Sequence, residues 1–284
     1  MKIKEKIRGK KKYYYLEHSF RKGNRVLKKE KYLGIKIPEN IDKLKIDFEK
    51  EFHHSLIIKL EKMKSNFQEE WKRVPESAKK KELEEISIAF TYNTNAIEGS
   101  TITLEETREI IHDKIAPNKS LRDIRETESH SKVFLQMLNK KTAISNNLLL
   151  KWHGEIFKET KPDISGKYRD YFVRVGEYHA PDWQDINHLI KSLIQFINSS
   201  KINSVELSAR AHYKFEKIHP FGDGNGRIGR LLMNNILWHS GYPMLIIEYK
   251  KRKSYYRALQ KNEEEFVKYY IRRYLAVHKK RYVK

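Results

Sequence analysis

Cysteine is absent from this 284-residue chain. Its absence excludes disulfides, thiolate nucleophiles and cysteine-ligated zinc or iron–sulfur clusters. Long apolar runs are missing as well, since none approaches the ~20 residues that a membrane-spanning helix needs. The chain starts with a basic, polar stretch from Met1 to Lys12, unlike the apolar segment of a secretory signal. We therefore expect a cytoplasmic protein that is not bound to a membrane.

Acidic residues are scarce relative to basic ones. Asp and Glu number 37 against 59 Lys and Arg, which gives a formal net charge of +22. Such a surplus attracts polyanions, including nucleic acid, ATP and acidic protein surfaces. A solvated surface rich in lysine and glutamate explains the same composition without a polyanionic partner. The charge by itself therefore leaves nucleic-acid binding open.

The N-terminal segment has the pattern of β-strands. Residues 13–20 and 25–34 are rich in β-prone side chains and flank Gly23-Asn24, a pair typical of a hairpin turn. Pro38 ends this stretch. We predict a small basic β module over residues 1–38.

The remainder of the chain has mostly helical spacing. Residues 148–157 and 186–197 are predicted helices, and a short alternating stretch at 172–176 between them predicts a small hairpin. We predict a mainly α fold, with a helical region over residues 39–117 and a helical core over 118–284. Upstream, four apolar residues recur on one predicted helix face: Phe48, Phe52, Leu56 and Leu60.

Residues 219–230 read His-Pro-Phe-Gly-Asp-Gly-Asn-Gly-Arg-Ile-Gly-Arg and have the composition of an anion-binding loop. Helical spacing leads up to His219, and Pro220 prevents that helix from continuing. Glycines at 222, 224 and 226 let the backbone turn with its N–H groups inward, and a second helix is predicted from about Arg227. Such a nest of N–H groups at a helix N-terminus binds anions.

Charged side chains accompany this loop. Arg227 and Arg230 lie three positions apart, so they share a helix face and can both reach phosphates at its start. Asp223 supplies a carboxylate suited to Mg²⁺. A glycine-rich turn between two core helices would need none of these charges, so we interpret the loop as a phosphate site.

Gly224-x-Gly226-x-x-Gly229 also matches the dinucleotide-binding fingerprint. That fingerprint follows a strand and precedes an acidic residue about 20 positions later, whereas this one follows a helix and a proline. We therefore exclude a dinucleotide site of that kind.

Residues 219–230 resemble the signature of the Fic family, His-Pro-Phe-x-(Asp/Glu)-Gly-Asn-Gly-Arg-x-x-Arg, at every specified position. The resemblance extends over roughly residues 90–270 and leaves residues 1–40 outside it. It implies a helical Fic (Fido) core with a short β-hairpin flap. It also implies an enzyme that moves AMP from ATP to a Tyr, Ser or Thr hydroxyl of a protein. Phosphorylating relatives carry lysine at the position of Gly226, so this glycine favours AMP transfer.

The resemblance assigns roles to individual residues. His219 would be the general base that takes a proton from the target hydroxyl. Asp223 would hold Mg²⁺ or Mn²⁺ that bridges the phosphates of ATP. The nucleotide phosphates would lie on a set of loop and helix residues: Gly222, Gly224, Asn225, Gly226, Arg227 and Arg230.

A second motif lies upstream of the loop. Apolar spacing predicts a helix over about residues 84–99, with Gly99 as a left-handed cap and Glu98 in the last turn. A carboxylate there faces the negative end of the helix dipole, which lowers stability by up to ~1 kcal/mol unless a cation lies close to the carboxylate. A glutamate exposed before a loop is the simpler interpretation of a Glu-Gly pair alone.

The same segment resembles the Fic inhibitory pattern (Ser/Thr)-x-x-x-Glu-(Gly/Asn), with Thr94, Glu98 and Gly99 at the specified positions. The resemblance implies that Glu98 pairs with Arg230 and keeps ATP out of its productive pose. The resting enzyme would then be slow.

Two further assignments come from the resemblance. Residues 172–179 are similar to the family's flap, whose edge accepts a target segment by strand addition, although an ordinary surface hairpin fits the same sequence. Tyr255 and Tyr256 correspond to positions near the adenine, although core tyrosines on a helix fit equally well. Three other histidines lack metal-ligand spacing and are expected to be structural: His153, His179 and His212.

Two alternative functions remain open. If Glu98 aligned a water molecule, the same site would remove AMP from a modified protein. A nucleic-acid-binding regulatory protein is the alternative from a different class, and it rests on the basic module of residues 1–38. The sequence determines neither the target protein, which could be the chain itself, nor whether the protein is a monomer or a dimer.

Overall fold

The structure is a computed structural model that describes residues 2–22 and 25–283, with side chains except those of residues 18–27, 46 and 49–53. The Gly23-Asn24 turn and the Phe52 side chain lie outside this description. Contacts within the chain divide it into two units, residues 1–60 and 61–284. The division predicted at residues 38 and 117 stays a prediction.

The first unit contains an antiparallel sheet with strand order β1-β2-β3 and the start of helix α1. Pairing runs from Lys2 opposite Glu17 to Arg8 opposite Lys11, and from Tyr14 opposite Gly34 to Lys22 opposite Arg25. The predicted strands on either side of residues 23–24 are confirmed. The outer strand β1 was not predicted, because charged residues on both of its faces conceal the usual apolar alternation. The elements are β1 (Lys2–Arg8), β2 (Lys11–Lys22), β3 (Arg25–Gly34) and α1 (Ile41–Arg73).

Helices and connecting loops make up the described part of the second unit, residues 61–283, in which one short hairpin supplies the strands; this confirms the mainly α prediction. The hairpin consists of β4 (Arg174–Val175) and β5 (Tyr178–His179). After the end of α1, the helices are α2 (Glu76–Ile97), α3 (Leu104–Arg108), α4 (Leu121–Asn139), α5 (Asn146–Phe157), α6 (Ile186–Ser199), α7 (Ser204–Ile218), α8 (Asn225–His239), α9 (Arg252–Leu259) and α10 (Glu263–Tyr282).

Helices α7 and α8 lie at the centre of the second unit. The apolar stripe predicted for α7 is buried, and so is nearly every side chain of α8, including its two arginines. A helix that is buried all round must satisfy its polar groups inside the protein. The charged residues of α8 are therefore tied to partners on other elements, and these partners form the candidate site. The buried stripe of α7 comprises Leu207, Ala211, Phe215 and Ile218.

Side-chain caps fix the starts of the helices that surround this centre. Thr103 forms a capping box with Glu106, because the Thr103 hydroxyl accepts the Glu106 N–H while the Glu106 carboxylate accepts the Thr103 N–H. Single caps begin α4, α5, α7 and α10 at Ser120, Ser145, Asn203 and Asn262. Among the described helices, none combines the length and the apolar character that crossing a membrane requires.

Candidate active site

The turn between α7 and α8 has the sharp geometry that its sequence predicts. Helix α7 ends at Ile218, and His219 then adopts the left-handed conformation with φ of 49°. Helix α8 begins at Asn225, two positions earlier than predicted, behind Gly224 with φ of 77°. A Cβ on Gly224 would also lie 2.4 Å from the Phe157 ring. Both the backbone angle and the close packing therefore require glycine at 224.

Asn225 holds the shape of this loop. Its amide oxygen accepts the Phe221 N–H at 2.9 Å, and its amide nitrogen donates to the Phe221 carbonyl at 2.8 Å. The side chain is buried. Its two polar atoms are thus both bonded to the loop backbone, which keeps the N–H groups of the loop at the start of α8.

His219 sits at the mouth of the loop as a neutral imidazole. Burial lowers the pKa of His219 below its ordinary value. Nδ1 lies 3.4 Å from the Glu216 carbonyl oxygen, which can only accept a hydrogen bond. This contact favours the tautomer with the proton on Nδ1. Nε2 then carries the free lone pair and can accept a proton.

His153 braces the loop from α5, as expected for a structural histidine. The Gly166 N–H donates to Nδ1 at 3.0 Å, so the ring proton lies on Nε2 and points to the Asp223 carbonyl 3.1 Å away. The ring stacks on Phe221 with centroids 3.9 Å apart. Burial lowers the pKa of His153 to about 4, so the ring is neutral.

Arg169 connects the glycine-rich loop to the β4–β5 hairpin. Its guanidinium donates to three carbonyl oxygens, those of His219, Tyr171 and Pro181, at 2.9, 2.7 and 2.7 Å. The side chain is buried. One arginine therefore fixes the base of the β4–β5 hairpin against His219, the residue that follows α7.

A network of opposite charges lies on one side of the α8 N-terminus. Arg227 bonds to the carboxylate of Glu126, which is buried on α4. Lys161 bonds to the Asp223 carboxylate and also lies 3.2 Å from the Glu126 carboxylate. Thr160 donates to Glu126 at 3.0 Å. Neither Glu126 nor Lys161 was predicted as a site residue.

The charges of this network decide the ionisation of its carboxylates. Burial opposes ionisation of Glu126, but the charge of Arg227 and the hydrogen bond from it outweigh burial and hold the pKa of Glu126 below its ordinary value. Burial likewise opposes ionisation of Asp223, and the hydrogen bond from Lys161 with the charge of Arg227 lowers its pKa overall. Both carboxylates are therefore charged near neutral pH.

The other arginine of α8 meets the predicted inhibitory glutamate. Nη2 of Arg230 lies 2.6 Å from Oε1 of Glu98 and 3.2 Å from the Thr94 carbonyl oxygen. Arg230 is 1% exposed, and the Glu98 side chain is 28% exposed. Glu98 comes directly after the last residue of α2, and Gly99 follows with φ of 94°. The structure therefore brings the two motifs into direct contact.

Gly226 makes room for that contact. A Cβ at this position would lie 2.1 Å from Oε1 of Glu98 and 3.0 Å from Nη1 of Arg230. The Glu98 carboxylate thus lies against the first turn of α8, where the helix dipole favours a negative charge. The charge of Arg230 and the dipole of α8 therefore offset the unfavourable position of Glu98 at the C-terminal end of its own helix.

The β4–β5 hairpin carries exposed apolar side chains near this site. Phe172 is 72% exposed and Val175 is 45% exposed. The Tyr178 hydroxyl donates to the Lys217 carbonyl on α7 at 2.8 Å, which ties the hairpin to the helix that precedes His219. The predicted hairpin is confirmed, and Tyr171 before it places its hydroxyl against Gly222.

Residues 143–237, which include α5 to α7, the whole glycine-rich loop and most of α8, match the Fic/DOC family. These residues belong to the Fic/DOC family. The match confirms the resemblance stated from residues 219–230.

Curated relatives of this Fic chain share about a third of the aligned residues. Protein adenylyltransferase Fic of Nematostella vectensis is 32% identical over 201 residues, which is 68% of this chain and 47% of the relative. The protein of the same name from Drosophila ananassae is 35% identical over 188 residues, or 64% of this chain and 38% of the relative. The chain therefore spans less than half the length of these relatives.

Solved structures of Fic proteins share the fold. Fic-1 from C. elegans superimposes with a TM-score of 0.69 at 26% identity, covering 86% of this chain and 76% of the other. A Fic-domain protein from Bacteroides thetaiotaomicron has a TM-score of 0.67 at 23% identity and covers 78% of this chain and 96% of the other. The second likeness concerns the fold alone.

The two tyrosines predicted near the adenine have different surroundings in this Fic chain. Tyr255 is 1% exposed, and its hydroxyl lies 2.7 Å from Nε2 of His212 and 3.5 Å from Nη1 of Arg230. Tyr256 is 41% exposed and donates to the Ile97 carbonyl at 3.2 Å. Tyr255 therefore supports Arg230 from within the core, while the Tyr256 ring borders solvent beside the end of α2.

Proposed function

We propose that this chain transfers AMP from ATP to a hydroxyl of a protein side chain, and that Glu98 restrains this activity. The observation that carries the proposal is the position of a neutral histidine, His219, at the start of a loop whose N–H groups and arginines suit a polyphosphate. The name of the curated relatives, protein adenylyltransferase, supports the same reaction.

In the proposed reaction, the target hydroxyl oxygen attacks the α-phosphorus of ATP. A bond forms between these two atoms, the bond from the α-phosphorus to the oxygen that leads to the β-phosphorus breaks, and pyrophosphate leaves. Nε2 of His219 takes the hydroxyl proton. A buried neutral imidazole with Nδ1 held by the Glu216 carbonyl is suited to this task near neutral pH.

The triphosphate is proposed to lie along the start of α8. Backbone N–H groups of the loop from Gly222 to Gly226 would bind it, in a shape held by Asn225. Arg227 and Arg230 would balance the charge that develops on pyrophosphate. Both are held by other residues already, Arg227 by Glu126 and Arg230 by Tyr255. Apart from the release of Glu98 from Arg230, little rearrangement would be needed when the phosphates arrive.

Asp223 is the proposed contact for Mg²⁺ or Mn²⁺ that accompanies ATP. Its side chain is 44% exposed, and it is ionised beside Lys161 and Arg227. Among the described residues, no three His, Asp or Glu side chains gather to hold a metal by themselves. A single carboxylate fits Mg²⁺ that takes its other ligands from phosphates and water. The ion would supply positive charge to the phosphates.

Glu98 is proposed to restrain the reaction because it occupies Arg230. A carboxylate bonded to this guanidinium at 2.6 Å and packed on Gly226 takes the place that a terminal phosphate needs. ATP would then bind in a pose that does not present its α-phosphorus to the target hydroxyl. Release of Glu98 would restore the productive pose.

The target and the adenine are proposed to bind on opposite sides of the loop. The exposed edge and the apolar Phe172 and Val175 of the β4–β5 hairpin suit an extended target segment added as a strand. Tyr256, whose ring borders solvent, is proposed as the adenine contact. Tyr255 is proposed to act through Arg230 instead.

The test is transfer of label from α-labelled ATP with Mg²⁺ to protein, including candidate targets from a lysate. Wild type, Glu98→Gly and Glu98→Gly/His219→Ala are compared. Strong labelling confined to Glu98→Gly supports both AMP transfer and restraint by Glu98. Labelling of wild type equal to that of Glu98→Gly contradicts the restraint. If no variant labels protein, the same variants are tested for AMP removal from a modified protein.

A further inference from the structure

The N-terminal sheet holds half of the net charge of the chain in about an eighth of its length. Residues 2–36 contain fourteen Lys and Arg, three Glu and no Asp. They lie in the first of the two units, together with the first part of α1. The proposed AMP transfer does not involve these charged residues, since every residue assigned to that reaction lies between Thr94 and Tyr256.

The two faces of this sheet differ. On one face, Leu16 is fully buried, and the Lys29 ammonium lies 5.7 Å from the ring of Phe48, a buried residue of α1. Residues on the other face contact each other and border solvent. The Tyr32 ring lies 5.3 Å from that of Tyr15 and is 53% exposed. Helix α1 therefore contacts one face beside Lys29, while Tyr32 on the aromatic face borders solvent.

Lysines surround the tyrosines on the aromatic face. Lys2, Lys4 and Lys6 alternate along β1, so their side chains point to the same side of the sheet. Lys2, Lys4 and Lys28 each lie 3.4 Å from the carboxylate of Glu17. Lys4 and Lys6 also pair with Glu30. Two glutamates thus hold four lysines in place, and the face keeps a positive surplus.

Beyond β1, the sheet continues as a two-stranded ribbon. β1 pairs with β2 only as far as Glu17, whereas β2 and β3 stay paired out to Lys22 and Arg25. Residues 18–29 include five Lys and Arg and no acidic residue. The major groove of B-DNA admits a two-stranded β-ribbon, whereas the deep and narrow major groove of duplex RNA does not. The ribbon therefore suits DNA.

A second basic cluster lies at the opposite end of β2. Arg8, Lys10, Lys11 and Lys12 lie at the turn between β1 and β2, and all four are exposed. The 12 residues of β2 span about 36–40 Å at ~3.3 Å per residue. One turn of B-DNA measures about 34–36 Å. Both basic ends of the sheet can therefore reach the backbone of one duplex at once.

We propose that the N-terminal sheet is a binding site for double-stranded DNA. The paired strand segments of residues 18–22 and 25–29 enter the major groove, and the basic residues at the other end of the sheet contact the flanking phosphates. The affinity comes mainly from these phosphate contacts, so it falls steeply as the salt concentration rises. This activity is independent of AMP transfer.

The test measures binding of the full chain to a labelled DNA duplex of about two helical turns by fluorescence anisotropy over a series of salt concentrations. The sheet variant is Arg8→Gln/Lys10→Gln/Lys11→Gln. The matched control, Lys268→Gln/Lys279→Gln/Lys280→Gln, removes three exposed charges from α10. We expect the sheet variant to reduce the slope of log K against log salt by about 2.7, at ~0.9 per phosphate contact. The control leaves this slope unchanged.

Probes of other chemistry and a third variant complete the test. Arg21→Gln/Lys22→Gln/Arg25→Gln in the ribbon is expected to weaken duplex binding at least as much as the sheet variant. Label transfer by each variant in the Glu98→Gly background shows that the second unit is folded, and far-ultraviolet circular dichroism checks that the sheet of the first unit is retained. Absence of duplex binding at low salt would overturn the proposal. So would equal losses of DNA affinity in the sheet variant and the control. Tighter binding to a single strand or to an RNA duplex of the same length would also overturn it.

Discussion

Oε1 of Glu98 and Nη2 of Arg230 lie 2.6 Å apart, although 132 residues separate them in the chain. The glutamate ends α2, and the arginine lies on the first turns of α8, beside the loop that starts at His219. The pair therefore joins the end of one helix to the centre of the proposed phosphate site. Any ligand that needs Arg230 must displace Glu98 first.

Removal of Glu98 is expected to lower stability and to increase the response to ATP. Glu98→Gly leaves Arg230 as a buried cation without a carboxylate, which costs on the order of 3 kcal/mol. Phosphates can replace the lost carboxylate, so MgATP should raise the Tm of Glu98→Gly more than that of wild type. Thermal melting with and without MgATP measures both effects. Equal ATP shifts in the two proteins would show that Glu98 does not compete with ATP.

Gly226→Ala is expected to change stability in opposite directions in two backgrounds. In wild type, the new Cβ meets Oε1 of Glu98 at 2.1 Å and pushes the carboxylate off Arg230. In Glu98→Gly, that obstacle is gone, the freed Arg230 side chain can withdraw Nη1 from its remaining 3.0 Å contact, and alanine is a better helix residue than glycine. Melting of the four proteins of this double-mutant cycle gives the coupling between the two sites. Independent, additive effects would mean that Gly226 does not accommodate Glu98.

Lys161 is expected to compete with a divalent ion for Asp223. Its ammonium bonds to the Asp223 carboxylate and is only 12% exposed between Asp223 and Glu126. In the Glu98→Gly background, Lys161→Met should lower several-fold the Mg²⁺ concentration that gives half-maximal label transfer, while Lys161→Arg should not. Titration of each variant with Mn²⁺, monitored by the paramagnetic signal of the ion, measures the affinities directly. Lys161→Met should bind the ion more tightly than Lys161→Arg. A higher metal requirement in Lys161→Met would indicate that the lysine acts on the phosphates.

The pH dependence of label transfer should reflect a histidine that is neutral over most of the physiological range. Burial lowers the pKa of His219, and the charge of Glu98 acts in the opposite direction. The general base must be unprotonated, so the rate of Glu98→Gly should rise through a pKa below the ordinary ~6.5 and be level at neutral pH. Single-turnover rates over the acidic and neutral range measure this. A rate that still rises with pH above neutrality would exclude His219 as the base.

Much of the fold could be predicted from local sequence patterns, whereas the contact between Glu98 and Arg230 was predicted from the family resemblance alone. The apolar periodicity of α7, the break at Pro220 and the three glycines of the loop predicted a helix, a turn and a second helix, which the structure confirms. Gly99 was predicted as a left-handed cap, and it has φ of 94°. These features depend on residues within a few positions of each other, where spacing reports geometry directly.

The supporting residues of the site could not be predicted in this way. Glu126 bonds to Arg227 across 101 residues, and Lys161 bonds to Asp223 across 62. Neither belongs to a periodic motif, so only the packing of α4 and of the segment after α5 against α8 reveals them. A lysine or glutamate on a helix normally points to solvent. The one local signal was that an almost entirely buried α8 with two arginines requires buried carboxylates near it.

The most direct measurement of the central claim compares two labels on ATP. Glu98→Gly is incubated with Mg²⁺ and either α-labelled or γ-labelled ATP, and the label on protein is followed in each case. Transfer of AMP predicts label on protein only from α-labelled ATP, with no labelling after His219→Ala is added. Label on protein from γ-labelled ATP would mean transfer of the terminal phosphate and would contradict the account.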